Sequence, residues 1–207
     1  MNHRPPVDAV KPVEPVEPAD AGAVHIRPLV AADAVAYKAL RDEALRTAPD
    51  AFTSDYESSV GRDANEYVAR FGALESGQFF LGAFDAAGQL LGCLGCVREQ
   101  RTKQRHCAVV VGMMVSPAAQ RRGIGRMLVE ACVRAASQVP GLTQLVLTVT
   151  ASNPHVVRLY EQAGFRAWGL LPNAITRAKT AGTSMAQRNP MVSPKKPRVG
   201  GPTKKPK

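Results

Sequence analysis

Apolar positions along the chain recur at two spacings, one typical of strands and one typical of helices. Alternating or continuous apolar runs predict strands in VHIRPLV, QFFLGAFD, LLGCLGCVRE, HCAVVVGMMVS, LTQLVLTVT and the start of FRAWGLL. Short polar or glycine-containing stretches separate the second, third and fourth runs, so these strands are expected to follow one another directly. The remaining intervals have room for helices.

Helix signals lie between these strands. Asp33 is expected to cap a first helix, and Asp63 with Glu66 predicts the start of a second one over NEYVARFGAL. From Ile124, apolar side chains recur at offsets 3, 4, 7, 8 and 11, which predicts a long helix with one buried stripe. Asn153 is expected to cap a last helix, with proline at its first position and glycine as its stop. The order βααβββαβαβ predicts a mixed α/β domain around one sheet.

The two ends of the chain lack such patterns. Residues 1–23 are proline-rich and repeat Val-Glu-Pro, an extended composition that cannot bury apolar surface. From Thr183 onward there are seven basic residues and no acidic one, which is most of the net charge of +10. We therefore expect a disordered tail over residues 1–23, an α/β domain over residues 24–175 and a basic, disordered tail over residues 176–207.

Hydropathy and cysteine usage narrow the class of protein. The printed chain has neither an apolar run of roughly 18–20 residues, the length that crosses a bilayer, nor a secretory leader, so we expect a cytoplasmic protein without a membrane partner. Cys93 and Cys96 form a C-x-x-C motif, but their odd spacing on a strand predicts opposite faces. Buried free thiols are expected there, and no metal site.

A turn with two glycines precedes the long helix. Gly123 and Gly125 would bare the amides at the helix start, and the helix dipole favours an anion there. Positive charge nearby comes from three arginines: Arg121, Arg122 and Arg126. A phosphate-binding P-loop would need Lys and Ser or Thr, and a dinucleotide fingerprint would need a third glycine where Leu128 stands. The turn predicts a site for another polyphosphate; a turn that binds nothing is the alternative.

Two motifs together resemble the GNAT superfamily of N-acetyltransferases. Gln120-x-x-Gly123-x-Gly125 is similar to that family's acetyl-CoA loop. ASNPHVVRLYEQAGF, with its Leu-Tyr pair and Gly-Phe ending, is similar to the helix that follows one strand later. The resemblance implies the acetyl-CoA N-acyltransferase-like fold, a single mixed, mostly antiparallel sheet flanked by helices. It also implies a final strand, which we expect to be missing or poorly formed because no alternating apolar run follows Ile175.

The resemblance also implies site residues for acetyl-CoA as co-substrate. A bulge in the strand over residues 109–115 would open a gap for the pantetheine arm, with contacts at Met113, Met114 and Val115. The diphosphate would lie on the amides of Gln120, Arg121, Arg122, Gly123, Ile124, Gly125 and Arg126. Val115 would donate its amide to the oxyanion, and Tyr160 would protonate the leaving thiolate. Asn153 would touch the cofactor, or only cap its helix.

The base and the acceptor are less constrained. Glu99 or His106, at the turn into the bulged strand, would take a proton from the amine, or positioning alone would suffice. Acidic side chains in the loop over residues 48–59 would attract a cationic amine, or would simply be solvated: Asp50, Asp55 and Glu57.

The function that the sequence predicts is acetyl transfer from acetyl-CoA to a primary amine of a small molecule or peptide. One alternative is a degenerate acetyl-CoA-binding protein with little turnover. Another is a nucleic-acid-associated protein that acts through its basic tail, although without aromatic residues such a tail makes only non-specific, salt-sensitive contact. A homodimer is compatible with each of these.

Overall fold

A six-stranded sheet forms the centre of the protein. The computed structural model describes residues 22–150, 153–175 and 185–189, with backbone alone for 171–175 and 185–189. The strands of this sheet are β1 His25–Pro28, β2 Gly72–Ala73, β3 Gln78–Phe84, β4 Leu90–Arg98, β5 Cys107–Val115 and β6 Gln144–Val146. Their spatial order is β1-β3-β4-β5-β6, with β2 beside β3. All pairs are antiparallel except β5 with β6. The predicted fold class, a single mostly antiparallel sheet flanked by helices, is confirmed.

Five α-helices accompany the sheet: α1 Ala34–Thr47, α2 Tyr56–Val60, α3 Val68–Phe71, α4 Ile124–Ser137 and α5 Pro154–Gln162. Strand residues alternate between two apolar clusters, one on each face of the sheet. On one face, Leu128 of α4 and Tyr160 of α5 pack over Phe79 and Leu81. On the other face, Tyr37 of α1 and Phe71 of α3 belong to a second cluster, which we call the α1 cluster. The long periodic helix predicted from Ile124 is confirmed over α4.

A bulge interrupts the pairing of β5 with β4. Cys93 faces Met114 and Gly95 faces Val111, so β5 carries one more residue than β4 in this interval. Gly112 adopts a φ of +58° there, in the left-handed region that favours glycine. Pairing of β5 with β6 ends at Val109 and Val146. Beyond that point the two chain segments diverge, because the bulge turns β5 away.

The strand predicted over LTQLVLTVT is shorter than its sequence suggests. Only Gln144–Val146 forms a strand, and residues 147–150 continue without a strand partner among the described residues. A β-branched composition favours extended backbone, but a strand also needs a hydrogen-bonded neighbour. The divergence of β5 removes that neighbour here.

Two strands after α5 form a separate small sheet. β7, Gly169–Ile175, pairs antiparallel with β8, Met185–Asn189. β8 lies within the tail over residues 176–207, but it pairs with β7 and not with the central sheet, so the expectation that the family's final strand is missing or poorly formed stays a prediction. Strand pairing uses main-chain groups, so the sequence MAQRN forms a strand without an alternating apolar run. The rest of the C-terminal tail and the N-terminal tail over residues 1–21 lie outside the described residues.

Two predicted helix starts differ in detail. Asp33 stands at the N-cap of α1, but its carboxylate accepts from Arg27 at 2.6 and 2.8 Å and from the Val30 amide at 2.8 Å instead of capping the helix. The capping box of Asp63 and Glu66 is present, although it opens a 3-10 turn ahead of the short α3.

Candidate active site

A cavity of about 360 Å³ lies where β5 diverges from the chain after β6. One wall is the bulged stretch of β5, residues 109–113, and the opposite wall is residues 148–150. The loop after α1 and the first turns of α5 contribute five further residues: Ala51, Phe52, Thr53, Val156 and Tyr160, with Asn153 at the helix start. On the sides that face the cavity, β5 beyond Val109 and residues 147–150 have no strand partner among the described residues, which suits an extended amide-containing ligand lying between them.

Tyr160 and Met113 face each other across this cavity. The Tyr160 hydroxyl donates a hydrogen bond to Sδ of Met113 at 3.4 Å. Tyr160 is buried, at 7% exposure, and its ring packs edge-on against Phe165. Burial, and to a lesser degree the neighbouring Cys132 thiol, raises the pKa of Tyr160 well above its ordinary value. The phenol therefore keeps its proton at neutral pH and is available as an acid.

The two neighbouring predicted residues of β5 point elsewhere. The side chain of Met114 is 3% exposed and lies in the α1 cluster on the opposite face. Val115 packs beside the α4 face and is paired with Gly92. Neither lines the cavity, so a contact of Met114 or Val115 with a cofactor would have to use the main chain. Both assignments stay predictions.

The loop before α4 presents a row of unengaged amides. Gly123 is the N-cap of α4 with a φ of +76°, and Arg121 adopts a φ of +62°, which is uncommon for a residue with a side chain. Within the described residues, the backbone amides of residues 121–126 have no hydrogen-bond acceptor, whereas the Met127 amide donates to Gly123 at 3.1 Å. A helix start of this kind binds anions. Gly125 has a packing reason as well, because a Cβ there would lie 3.3 Å from Leu159.

The arginines of this loop differ in their engagement. Arg121 and Arg122 are exposed, as is Gln120. Arg126 is exposed too, but its Nε donates to Glu130 at 2.8 Å, one turn along α4. The positive charge expected at the loop therefore comes mainly from Arg121 and Arg122.

The start of α5 matches its predicted capping. The side chain of Asn153 accepts from the Val156 amide at 3.3 Å, and Pro154 occupies the first helical position. Gly164 ends the helix region with a φ of +91°. Because Asn153 also lines the cavity, both roles that the sequence allowed are sterically open to it.

The structure does not bring Glu99 to the cavity. Its backbone amide donates to the Cys107 carbonyl at 3.0 Å, at the start of β5, and its carboxylate is a secondary cause, after burial, of the raised pKa of Cys107. His106 is exposed in the same turn. Neither residue lines the cavity.

The predicted acceptor loop does reach the cavity, but through apolar and neutral residues, Ala51 to Thr53. Of the acidic residues expected there, Asp55 caps α2 by accepting from the Ser58 amide at 2.8 Å, and Glu57 is exposed. The Asp50 carbonyl accepts from Thr150 Oγ1 at 3.0 Å, which ties this loop to the far wall. Sequence reasoning missed Phe52, Thr148 and Val156 as lining residues; a β-branched strand end after a predicted bulge was the available signal.

Cys93 and Cys96 lie on opposite faces of β4, as their spacing predicts, and both thiols are free and buried. In the stretches that the structure describes, no three or more His, Cys, Asp or Glu side chains gather as metal ligands. None of the helices in these stretches is long and apolar enough to cross a bilayer.

Comparison with known proteins gives matches of two kinds. A mycothiol acetyltransferase from Salinispora tropica is 36% identical over 89 residues, which is 43% of this chain and 29% of that protein. An acetyltransferase of the GNAT family from Streptococcus pneumoniae has the same fold, with a TM-score of 0.71 at 21% identity over 80% of this chain and 96% of that one. A GNAT superfamily phosphinothricin acetyltransferase from Sinorhizobium meliloti, solved in complex with acetyl-CoA, has a TM-score of 0.65 at 21% identity. The match covers 80% of this chain and 85% of that one.

These matches agree with the geometry of the site. The structural relatives share the fold at low identity, and the curated relative is matched over less than a third of its length. A family model described as acetyltransferase (GNAT) family matches residues 38–165, which contain most of α1, the bulged strand, the glycine turn and α5. Because that match spans more than half of the chain and the fold agrees with it, the chain belongs to the acetyltransferase (GNAT) family.

Proposed function

We propose that the chain transfers an acetyl group from acetyl-CoA to a primary amine by direct attack of the amine on the thioester. The observation that carries this proposal is the cavity between β5 and residues 148–150, with Tyr160 in its wall and free amides at the start of α4 beside it. The acetyl-CoA complex of the Sinorhizobium meliloti relative, which has the same fold, supports the choice of co-substrate.

Each part of acetyl-CoA has a matching feature on the protein. The diphosphate is assigned to the amides of residues 121–126, with charge from Arg121 and Arg122, whereas the Gln120 amide, also expected there, already donates to the Pro117 carbonyl at 3.4 Å. The pantetheine amides are assigned to the edge of β5 beyond Val109, residues 110–113, as an added strand. The space around Gly123 suits the diphosphate contact, since no protein atom lies within 4 Å of a Cβ built there.

Acetyl-CoA supplies an acyl group already activated as a thioester. The protein therefore has to position the amine, polarise the thioester carbonyl and protonate the departing sulfur. The Val115 amide is proposed as the donor to the thioester carbonyl oxygen. Tyr160 is proposed as the acid for the departing sulfur, because its hydroxyl is protonated and already faces a sulfur atom in the cavity. Holding the amine in register supplies much of the remaining barrier reduction, so no dedicated base is required.

The acceptor is a small-molecule or peptide amine that approaches past the loop formed by Ala51, Phe52 and Thr53. Cytoplasmic location, a homodimer and contact of the basic tail with nucleic acid stay predictions.

Calorimetry with acetyl-CoA tests the binding assignment. Gly123→Asp, alone and combined with Gly125→Asp, is expected to weaken affinity by at least about tenfold, because a carboxylate repels the diphosphate. Gly88→Asp is the matched control, since Gly88 has a φ of +79°, open space around its Cβ and a position away from the cleft. Equal affinity in all variants would refute the assignment, and release of free thiol on adding amines separates an enzyme from a binder.

A further inference from the structure

Arg41 is a buried cation without an anionic partner. It lies on α1 at 7% exposure, and its Nε finds no hydrogen-bond acceptor in the part of the chain that the structure describes. The ion pairs of that part join other residues: Arg27 with Asp33, Lys38 with Asp42, and Arg126 with Glu130. Burying an unpaired charge is costly, so a protein keeps one mainly where something else compensates it.

Tyr37, one turn earlier on the same face of α1, also has a polar atom without a hydrogen-bond partner among the described residues. Its hydroxyl is the other buried side-chain polar atom without a hydrogen-bond partner within the described residues, and the residue is fully buried. Burial, and next the Cys93 thiol, raises the pKa of Tyr37 to about 12, while the positive charges of Arg41 and Arg70 and the approach of the Arg70 guanidinium to the hydroxyl oxygen oppose that rise. The hydroxyl therefore stays protonated at neutral pH and is free to donate.

Arg70, an exposed residue of α3, brings a second guanidinium to the Tyr67 ring. Arg41 and Arg70 both lie over the ring of Tyr67, with Cζ 5.8 and 5.3 Å from its centroid. Cation–π contact at such distances offsets only a small part of the cost of burying a charge. The carboxylate beside this group, Asp42, is engaged by Lys38 and by the hydroxyl of Ser59, which in turn contacts the Tyr67 hydroxyl at 3.0 Å.

This group of donors lies next to the acceptor end of the cavity. Phe52 and Val111 line the cavity and also pack in the α1 cluster with Tyr37. Cys93, which lies close enough to Arg41 for the cation to lower its pKa against the larger effect of burial, donates from Sγ to the Gly112 carbonyl at 3.6 Å. Gly112 is the bulge residue of the cavity wall. Arg41 therefore lies on the α1-cluster side of the sheet, within electrostatic range of the Cys93 thiol that contacts the cavity wall.

We infer that Arg41, with Tyr37 and Arg70, forms a carboxylate-binding subsite, so that the acceptor is an amine that also carries a carboxylate, as amino acids do. The inference rests on the proposed function and names the substrate class for it. A guanidinium fork matches a carboxylate in two parallel hydrogen bonds, and the phenol adds a third donor. The carboxylate supplies the counter-charge that the fold leaves out, and it holds the amine end toward the cavity.

The test compares amino acids with their own carboxamides, as acceptors in a thiol-release assay and as ligands of the CoA-loaded protein in calorimetry. Wild type is expected to prefer the acid over the amide by at least about tenfold, and Arg41→Met is expected to abolish that preference. Acetyl-CoA affinity is expected to stay within about twofold of wild type. Arg46→Met, which removes an exposed cation from the same helix, is the matched control and should behave as wild type.

Stability separates a binding role from a packing role. Removing an unpaired buried cation should leave the denaturation midpoint of Arg41→Met at or above that of wild type. A lowered midpoint, with the acid preference retained, would assign Arg41 to packing and overturn the inference. If wild type binds no acid more tightly than its amide, the inference falls even where acetyl transfer is observed. If acetyl-CoA itself does not bind, the proposed function falls instead.

Discussion

The hydroxyl of Tyr160 lies 3.4 Å from Sδ of Met113 and donates its proton toward that sulfur. A thioether is a weak hydrogen-bond acceptor, so this contact holds the phenol in place at low cost and is readily exchanged for a stronger partner. The thiolate that leaves during acetyl transfer is such a partner. The cavity thus contains an acid already oriented toward a sulfur atom.

Tyr160→Phe tests the role of that hydroxyl. We expect kcat to fall by roughly 10²-fold, the usual scale for loss of a general acid, while the Kd for acetyl-CoA changes little. Steady-state kinetics and calorimetry measure the two quantities separately. Tyr56→Phe, outside the cavity, is the control. An unchanged kcat would remove Tyr160 from the chemistry, and a matching loss of affinity would leave it a binding role only.

Met113 and Met114 offer a second comparison, because their side chains lie on opposite faces of the sheet. Met113→Leu conserves volume and should cost less than about 1.5 kcal/mol of stability. It removes the sulfur that competes for the Tyr160 hydroxyl, so acetyl-CoA affinity should be equal to or higher than that of wild type. Met114→Leu changes only the α1 cluster and should leave affinity alone. Weaker binding in Met113→Leu alone would show that its sulfur contacts the co-substrate.

Local signals in the sequence predicted most of the fold. Apolar spacing from Ile124, the Asn153 cap and the glycine stop at Gly164 each report on neighbours within one or two turns, and the structure confirms all three. The length of β6 and the presence of β8 depend on partners far along the chain. No local pattern encodes such pairing, so the sequence overestimates the length of β6 and gives no signal for β8.

The sequence predicts those site residues that belong to a local motif, and not those that tertiary packing brings to the cavity. The glycine turn was predicted from its own residues and Tyr160 from the family resemblance of its helix, and Tyr160 with Asn153 does line the cavity. Phe52 and Arg41 reach their places through tertiary packing of α1 and its following loop. One signal for Arg41 was present in the sequence, since it stands at helical spacing between Tyr37 and Leu45, which are both buried. A charged residue on the apolar stripe of a helix is a signal for a functional role.

Alkaline pH should destabilise the protein through its buried tyrosines. The pKa of Tyr37 is raised from 10.0 to about 12 in the folded state, and that of Tyr160 is raised in the same direction. The unfolded chain therefore loses these protons first, so their stabilising contribution is complete below pH 10 and is lost as pH rises toward 12. For Tyr37 that loss is on the order of 2 kcal/mol.

Denaturation midpoints measured across this pH interval check the expectation. Tyr37→Phe and Tyr160→Phe should each flatten the decline, and Tyr56→Phe should not. A decline of equal steepness in all variants would mean that other groups cause it.

Glu99→Gln should retain most of the activity. Its carboxylate lies beside Cys107 at the start of β5 and does not line the cavity, so it is poorly placed to accept a proton from an amine. We expect kcat/KM within about threefold of wild type, and the same ascending dependence on pH as the acceptor amine loses its own proton. A loss of about 10²-fold with a flattened pH profile would instead establish Glu99 as the base.

Shortening the C-terminus distinguishes the small sheet from the basic tail. A chain ending at Asn189 keeps β8 and its pairing with β7, and it loses six of the seven basic residues that follow Thr183. Its denaturation midpoint should equal that of the full chain, because no described element is removed. A chain ending at Ile175 leaves β7 without its partner strand and should unfold more readily.

Retention of both shortened proteins on DNA, measured against salt, should fall together relative to the full chain if the tail makes the non-specific contact. Equal retention of all three would show that the tail makes no such contact, and equal stability of the two shortened chains would show that β8 adds nothing to the fold.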